Sequence, residues 1–503
     1  MPGRWYSITN ISLILGPLLA LGIYVFADLD PGHPEVTHTA AVALLMAIWW
    51  MTETVPLAVT ALLPVVLFPL LGIMDGSLVA PLYINHIIFL FIGGFIVALA
   101  MERWDLHRRI ALRVLLFFGV KPRNLLLGFM AASAFLSMWI SNTATTMMMV
   151  PIVTALILKF EEVASPGRTQ KAAKGLLLGV AYGSTLGGIA TLVGTPPNLV
   201  LIRIFEMHFP QAPEISFARW MIFALPISLL FLVIVWMLLS IFFLKGENPG
   251  LDRAMLRKRY REMGPTSYEQ KVVLTIFIGL ALLWLFRSDL EFGLFTIPGW
   301  SNLFAKPSYL NDGTVAIGLS ILLFIIPARA RPDTKIMDWA TAQGLPWNIV
   351  LLFGGGFALA EGFNVSGLSM WLGNQLKGAG GLHPILIVGL VSLLIIFLTE
   401  LTSDTATAQI LLPVIAALAV SISINPLLLM VPATLSCSLA FMLPVATPPN
   451  AIIFGSGRLR IADMARVGLL INLIGVLLVT LAMWIVGRIV FDIDLTQLPV
   501  WAH

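Results

Sequence analysis

The sequence predicts an all-α membrane protein that crosses the bilayer many times and contains two inverted copies of one repeat. Three observations support this fold class. The composition is strongly apolar, with 58% hydrophobic and 11% charged residues. Apolar stretches long enough to cross a bilayer recur along the chain. Two short polar motifs each occur twice inside apolar stretches, which indicates an internal duplication around a polar site.

The composition also excludes several classes of protein. A chain of 503 residues with a mean hydropathy of +0.94 is too apolar to be a soluble domain. Its single cysteine, Cys437, excludes a disulfide framework or a cysteine-based metal cluster. The net charge of +4 does not require a nucleic-acid partner, because basic residues of membrane proteins usually reflect orientation. Acidic residues rather than a cleavage site follow the first apolar stretch, so we expect a membrane helix there and no cleaved signal.

Hydropathy places the membrane helices and two further apolar segments. The helices are predicted near residues 8–27, 39–51, 57–73, 83–103, 174–206, 218–244, 268–287, 312–327, 347–363, 426–455 and 465–492. The segments 123–160 and 383–419 each carry a polar motif at their middle and are predicted to be re-entrant helical hairpins. Hydropathy alone does not separate such a hairpin from two short full crossings. The prediction is about eleven transmembrane helices and two hairpins.

The charges of the loops predict the orientation. Segments 103–123, 245–261, 329–335 and 458–466 are basic, and segments 28–36, 289–291 and 492–494 are acidic. If the N-terminus is cytoplasmic and each hairpin returns to the side it left, every basic segment lies inside and every acidic one outside. We therefore expect a multi-pass protein of the cell inner (plasma) membrane.

The register of the duplicated motifs supports a true repeat. The motif SNTAT at 141–145 returns as SDTAT at 403–407, and GGF at 93–95 returns at 355–357 with the same offset of 262. GTPPN at 194–198 returns as ATPPN at 446–450, with an offset of 252. An odd number of predicted crossings separates the copies, so the repeat is inverted.

The predicted organisation of the chain follows from these motifs. It comprises a first membrane helix and outer loop (1–38), a first inverted repeat (39–244) with hairpin 123–160, a cytoplasmic linker (245–267), a second inverted repeat (268–492) with hairpin 383–419, and an external C-terminal tail (493–503).

The chemistry of helix ends indicates what the motifs bind. A helix interrupted inside the membrane exposes unpaired N–H groups at one broken end and unpaired C=O groups at the other. We expect half-helices starting at Ala144 and Ala406, whose capped, positive ends meet and suit an anion with two negatively charged groups. The prolines of the two TPPN motifs break the neighbouring helices, and the carbonyl groups freed there suit a hard cation such as sodium.

Other kinds of site receive less support. No nucleophile–base pair, paired histidine spacing or phosphate-binding loop occurs, which disfavours a membrane enzyme. A channel is disfavoured because an inverted repeat with capped half-helices suits alternating access. The methionine run at 147–149 is expected to pack rather than to bind metal. For Glu53 and Glu400 we expect a structural or interface role rather than a role in transport.

The motifs also carry a family resemblance. SNTATTMMMVPI, GTPPN, LTSDTATAQILLPV and ATPPNAIIFGSG, in this order and spacing, strongly resemble the divalent anion/sodium symporter family of di- and tricarboxylate transporters. The resemblance covers the chain from about residue 40 onward. It implies the same helices and hairpins, a homodimer, and an elevator motion that carries the site across the membrane.

The resemblance implies a substrate site and two sodium sites. The substrate carboxylates would meet Asn142, Thr143, Asp404 and Thr405, with Thr195, Thr447 and Pro448 nearby. The two sodium sites would comprise Ser137, Ser141, Asn142 and Gly194, and Thr399, Thr402, Asp404 and Ala446.

One residue departs from the family pattern. The second tip carries Asp404 where the family usually has asparagine. At about 4 Å and an effective dielectric constant of 20, each like-charge pair costs roughly 4 kcal/mol, so Asp404 beside a dianion needs a cation or a proton. Asp404 would bind its sodium ion more tightly, titrate and couple transport to protons, or favour a substrate with an amino or neutral group. We favour a carboxylate ligand of the second sodium ion, with proton coupling as the close alternative.

The function predicted from the sequence is secondary active transport rather than catalysis. We expect import of C4-dicarboxylates (succinate, malate and fumarate) coupled to sodium. The alternatives are a sodium-independent or proton-coupled dicarboxylate exchanger, or a citrate or sulfate transporter of the same family. The expected partners are the dicarboxylate, sodium ions, membrane lipid and a second copy of the chain.

Overall fold

The computed structural model describes residues 8–163, 169–244, 253–291, 295–331, 333–495 and 497–502. This part of the chain is predominantly helical with almost no strand, which confirms the all-α class predicted from the sequence. Residues 1–7 of the predicted first segment, 245–252 of the predicted linker, and 496 and 503 of the predicted tail lie outside the described residues.

The described part of the first half contains thirteen α-helices. They are α1 (Ile8–Phe26), α2 (Pro34–Thr52), α3 (Leu57–Thr60), α4 (Leu63–Leu70), α5 (Gly76–Val79), α6 (His86–Arg103), α7 (Leu106–Phe118), α8 (Pro122–Ser137), α9 (Asn142–Val163), α10 (Thr169–Gly188), α11 (Pro196–His208), α12 (Phe217–Phe243) and α13 (Arg253–Glu262).

The described part of the second half contains eleven α-helices and a short pair of strands. The helices are α14 (Tyr268–Leu285), α15 (Asp312–Ile325), α16 (Trp339–Ala342), α17 (Trp347–Ser366), α18 (Leu368–Leu376), α19 (Pro384–Thr399), α20 (Asp404–Ser421), α21 (Pro426–Cys437), α22 (Pro448–Phe454), α23 (Ile461–Ala482) and α24 (Arg488–Val490). Strands β1 (Leu290–Glu291) and β2 (Thr296–Ile297) pair antiparallel, with Leu290 opposite Ile297.

The same order of elements occurs in both halves. A long apolar helix (α6 or α17) is followed by a shorter helix (α7 or α18), a pair of helices joined by a tight tip (α8–α9 or α19–α20), a broken helix (α10–α11 or α21–α22), and a further long helix (α12 or α23). Helices α7 and α18 were not predicted from the sequence. Charged residues on α7, such as Arg108 and Arg113, make that segment look like a loop in a hydropathy profile.

The halves interlock through the GGF motifs. A Cβ atom at Gly93 of α6 would lie 2.6 Å from the Cβ of Ala316 in α15. A Cβ atom at Gly355 of α17 would lie 2.5 Å from the Cα of Ala61, directly after α3. Each glycine therefore allows a close approach to the opposite half of the chain.

Several predicted spans are broken rather than continuous. Seven helices of the described chain are at least 18 residues long and apolar enough to cross a membrane, and further apolar helices have 10–17 residues. Predicted span 174–206 is divided into α10 and α11, and span 426–455 into α21 and α22. We call the residues between them the first break (189–195) and the second break (438–447). Each TPPN motif starts the second piece, because proline fits the first turn of a helix but not its interior.

The half-helices at the two tips begin earlier than predicted. Starts at Ala144 and Ala406 were wrong by two residues, since α9 begins at Asn142 and α20 at Asp404. The polar residues of the motifs therefore form the first turn of each helix instead of preceding it.

Candidate functional site

Both polar motifs of both halves meet at one cavity of about 840 Å³. We call residues 141–143 the first tip and residues 403–405 the second tip. The cavity is lined by every residue of the predicted substrate site: Asn142, Thr143, Thr195, Asp404, Thr405, Thr447 and Pro448. Of the predicted sodium ligands, Ser141, Asn142, Gly194, Thr402, Asp404 and Ala446 also line it. Ser137 and Thr399 lie behind the tips, each at the last residue of its helix, α8 or α19.

The first tip is held by short polar contacts. The Ser141 hydroxyl oxygen accepts the N–H of Ala144 at 3.2 Å and so caps α9. The Ser137 hydroxyl donates to Oδ1 of Asn142. A Cβ atom at Gly188, the last residue of α10, would lie 2.4 Å from that same Oδ1. The Asn142 side chain is thus fixed between the end of one hairpin arm and the start of the first break.

The first break is braced against the first tip. Asn198 Nδ2 donates to the carbonyl of Thr191 at 2.7 Å and, more weakly, to that of Gly188 at 3.4 Å. The Thr191 hydroxyl in turn donates to the carbonyl of Met138 at 2.5 Å. The hydroxyl of Thr195 is buried and has no hydrogen-bond partner among the described residues, which leaves it available to a ligand.

The second break repeats this arrangement. Asn450 Nδ2 donates to the carbonyls of Ala440 and Leu443, both at 3.1 Å. These residues stand at the same offset of 252 from their counterparts in the first break. Thr195 and Thr447, the residues before the two proline pairs, both have extended backbones. The two asparagines of the TPPN motifs therefore shape both breaks, although sequence analysis did not include them among the site residues.

The second tip differs from the first in its capping. Oδ1 of Asp404 accepts the N–H of Thr405 at 2.6 Å and its hydroxyl at 3.0 Å. The Ser403 side chain makes no capping hydrogen bond. Behind the tip, the Thr399 hydroxyl donates to the carbonyl of Cys437 at 2.8 Å, at the end of α21.

Glu400 is a second difference between the two halves of the site. Its carboxylate accepts three consecutive backbone N–H groups of the second break, those of Phe441, Met442 and Leu443, at 2.8–2.9 Å. It also accepts Nδ2 of Asn472 in α23 at 2.7 Å. These contacts agree with the structural role expected for Glu400, because they hold the backbone of the second break. The counterpart position in the first half is Met138, so only the second half uses a carboxylate here.

The cavity has an unusual charge balance for an anion site. Its lining contains two acidic side chains, Glu53 and Asp404, and no lysine, arginine or histidine among the described residues. An anion would be attracted there by the N-terminal ends of α9 and α20 and by bound cations rather than by basic side chains.

Further residues line the cavity that were not assigned to the site from the sequence. They include Glu53, Asn348, Phe91 and Phe95. Glu53 has a left-handed backbone (φ 46°) where it ends α2, and Asn348 lies in the first turn of α17. Glu53 was expected to have a structural or interface role, and it lines the cavity. No local pattern in the sequence distinguishes these residues, because only the packing of the halves brings them to the site.

Comparison with known proteins places the chain among membrane transporters. A family model described as the sodium:sulfate symporter transmembrane region matches residues 14–493. The sodium-dependent dicarboxylate transporter SdcS of Staphylococcus aureus is 45% identical over 494 residues, covering 97% of this chain and 93% of the relative. The protein of the same name from Staphylococcus saprophyticus is 42% identical over the same lengths.

Two solved structures share the fold at low sequence identity. The YdaH transporter of Alcanivorax borkumensis has a TM-score of 0.54 at 14% identity, covering 81% of this chain and 86% of that chain. MtrF of Neisseria gonorrhoeae has a TM-score of 0.55 at 12% identity, covering 93% of this chain and 97% of that chain. Both likenesses concern the fold alone. The family model and the sequence relatives confirm the resemblance seen in the motifs: the chain belongs to the sodium:sulfate symporter family, which is the divalent anion/sodium symporter family of membrane transporters.

Proposed function

We propose that this protein imports C4-dicarboxylates such as succinate, malate and fumarate by secondary active transport coupled to sodium. The observation that carries the proposal is the shared cavity, in which the N-terminal ends of two long helices meet at the tips of two helix pairs. The names of the relatives with 42–45% identity agree with this substrate class and with sodium.

The substrate is held by one carboxylate at each tip. Asn142 and Thr143 serve one carboxylate, and Thr405 with Asp404 nearby serves the other. The hydroxyls of Thr195 and Thr447 and the turn at Pro448 contact the body of the substrate from the two breaks. Helix N-termini favour anions because their first N–H groups have no partner within the helix.

Two sodium ions bind beside the substrate, each between a tip and a break. The first site uses Ser137, Ser141, Asn142 and Gly194, and the second uses Thr399, Thr402, Asp404 and Ala446. Hydroxyl, amide and backbone carbonyl oxygens suit a hard cation, and the asparagine braces hold the break carbonyls in place. Asp404 supplies a negative charge to the second site, and proton binding at Asp404 is the alternative form of coupling.

The hairpins are re-entrant and move as part of an elevator. Tips that enter from opposite sides share one cavity, whereas loops at opposite membrane faces would be separated by roughly 30 Å of hydrocarbon. The cavity also reaches residues 51–53, Pro346, Asn348 and Ile349, at chain positions that the proposed topology places on the cytoplasmic side. Helices α7 and α18 link the interlocked helices α6 and α17 to the hairpins and so serve as the arms of the motion. The proposed assembly is a homodimer in the inner (plasma) membrane with a cytoplasmic N-terminus.

A screen of ligand-induced stability tests this substrate assignment. The purified protein is heated with succinate, malate, fumarate, citrate or sulfate, each with and without sodium. Because ligand binding stabilises the folded state by mass action, we expect the C4-dicarboxylates to raise the unfolding midpoint only when sodium is present. Stabilisation by sulfate or citrate but not by succinate would reassign the substrate, and the description of the family model makes sulfate the leading competitor. Stabilisation by succinate without sodium would favour an exchanger.

A further inference from the structure

Helix α13 carries a dense stripe of positive charge outside the transport cavity. Its ten residues, RAMLRKRYRE, contain five basic side chains and one acidic side chain. Arg253, Arg257, Lys258 and Arg261 are exposed. Residues 253, 257 and 261 are spaced four apart, and this spacing places them on one face of a helix. We call these four side chains the α13 stripe.

The opposite face of α13 is apolar and packed. Leu256 is 2% exposed, and Met255 and Tyr260 pack partly buried against the main core. The stripe lines a surface groove of about 500 Å³ together with Ala254 and Glu262. The helix therefore lies flat on the protein and turns its charge outward.

The stripe is held on a rigid support. Buried Arg109 of α7 donates to the carbonyls of Met263 and Gly264, both at 3.0 Å, and to Gln270 at 2.8 Å. Arg253 donates to the carbonyl of Leu116 at the other end of the helix. Both ends of α13 are thus fastened to or near α7, so that an anion bound by the stripe would not have to order the helix first.

The stripe has no acidic partner in the described part of the chain. No carboxylate of these residues forms a salt bridge with Arg253, Arg257, Lys258 or Arg261. In the chain, α13 lies between two apolar helices, α12 and α14, each long enough to cross a membrane. Exposed cations at the edge of a bilayer are complementary to the phosphate groups of anionic lipids.

We propose that the α13 stripe is a binding surface for the headgroups of anionic phospholipids in the leaflet next to it. The surface is separate from the transport cavity, and the proposal does not rest on the proposed substrate or its coupling. Each basic residue near an anionic membrane surface strengthens lipid binding about fivefold. Loss of three of them should therefore lower the affinity for such lipids on the order of 100-fold.

The test compares bound phosphatidylglycerol in matched variants. The R257Q/K258Q/R261Q variant removes three charges of the stripe, and K306Q/K377Q/R488Q removes three exposed cations elsewhere. Each purified protein is mixed with phosphatidylcholine and phosphatidylglycerol, and the retained lipids are counted by native mass spectrometry. The unmodified protein and the control should retain phosphatidylglycerol preferentially, and the stripe variant should lose that preference. Equal retention by the stripe variant, or an equal loss in the control, would overturn the proposal.

A second measurement needs no variant. Because exposed charges are screened by salt, phosphatidylglycerol retention by the unmodified protein should fall as the salt concentration rises. Inorganic phosphate at the same concentration as the lipid should not displace it. Retention that is independent of salt, or displacement by free phosphate, would overturn the proposed lipid surface.

Discussion

The carboxylate of Asp404 accepts two hydrogen bonds from its neighbour Thr405, one from the backbone N–H at 2.6 Å and one from the hydroxyl at 3.0 Å. These are the donors that the second tip would offer to a substrate carboxylate. In the proposed site, Asp404 and the substrate would therefore compete for the same two groups. A cation that attracts Asp404 away from Thr405 would free both donors, which gives a physical basis for coupling between sodium and substrate.

Substitution of Asp404 by asparagine should separate the effect of this residue on sodium binding from its effect on succinate binding. The amide is a weaker sodium ligand than a carboxylate, so we expect the sodium concentration for half-maximal succinate uptake to rise roughly tenfold, about 1.4 kcal/mol. At saturating sodium, the KM for succinate should stay the same or fall, because a like charge has been removed. D333N, at an exposed turn, is the control and should change neither value. An unchanged sodium dependence in D404N would exclude Asp404 as a sodium ligand.

The pH profile of the same variant tests proton coupling. If Asp404 takes up a proton during transport, the unmodified protein should show a pH dependence of uptake that D404N lacks. We expect this difference to be small beside the change in sodium dependence. Identical pH profiles for the two proteins would rule out titration of Asp404 during transport. Succinate uptake driven by a pH gradient without sodium, present in the unmodified protein and absent in D404N, would establish proton binding at Asp404 as the coupling step.

Gly188 should be intolerant of a side chain. A Cβ atom at this position would lie 2.4 Å from Oδ1 of Asn142, so G188A should displace the first tip and abolish most sodium-coupled uptake. G279A is the matched control, because a Cβ atom there meets no atom within 4 Å. Expression and the unfolding midpoint report on folding in both variants. Normal sodium-coupled uptake by G188A would contradict the position assigned to Asn142.

Glu400 should stabilise the second break. E400Q keeps the shape of the side chain but removes the charged acceptor from all three N–H groups and leaves at least one of them without any acceptor, at a cost of about 2–4 kcal/mol. We expect a lower unfolding midpoint and weaker sodium binding at the second site. E162Q, at an exposed carboxylate, should leave both properties unchanged. A normal midpoint for E400Q would show that the Phe441–Leu443 backbone does not depend on this carboxylate.

The orientation is open to a labelling test. The buried Cys437 is the only cysteine of the chain, so C437A supplies a cysteine-free background. Single cysteines placed at exposed Lys271 and exposed Lys306 should react with a membrane-impermeant reagent from opposite sides, Lys306 from the outside. Labelling of both positions from one side would contradict the topology drawn from the basic loops.

Local motifs were sufficient to predict the parts of the site that depend on helix ends. The two tips and two breaks are defined by prolines and capping residues, whose effects act within one turn of helix. The starts of α9 and α20 were displaced by two residues, because Asn142 and Asp404 enter the helices instead of capping them from outside. The contacts of Glu400, and the presence of Glu53 and Asn348 at the same cavity, depend on residues far apart in the chain, and no single-sequence pattern encodes such pairings.

Succinate uptake into proteoliposomes, with the sodium gradient and the pH gradient imposed separately, tests the central claim most directly. We predict concentrative uptake when an inward sodium gradient is present, at any imposed pH gradient, and no concentrative uptake when sodium is absent from both sides. Sodium-independent concentrative uptake would contradict sodium coupling, and the absence of succinate uptake under every gradient would contradict the substrate assignment.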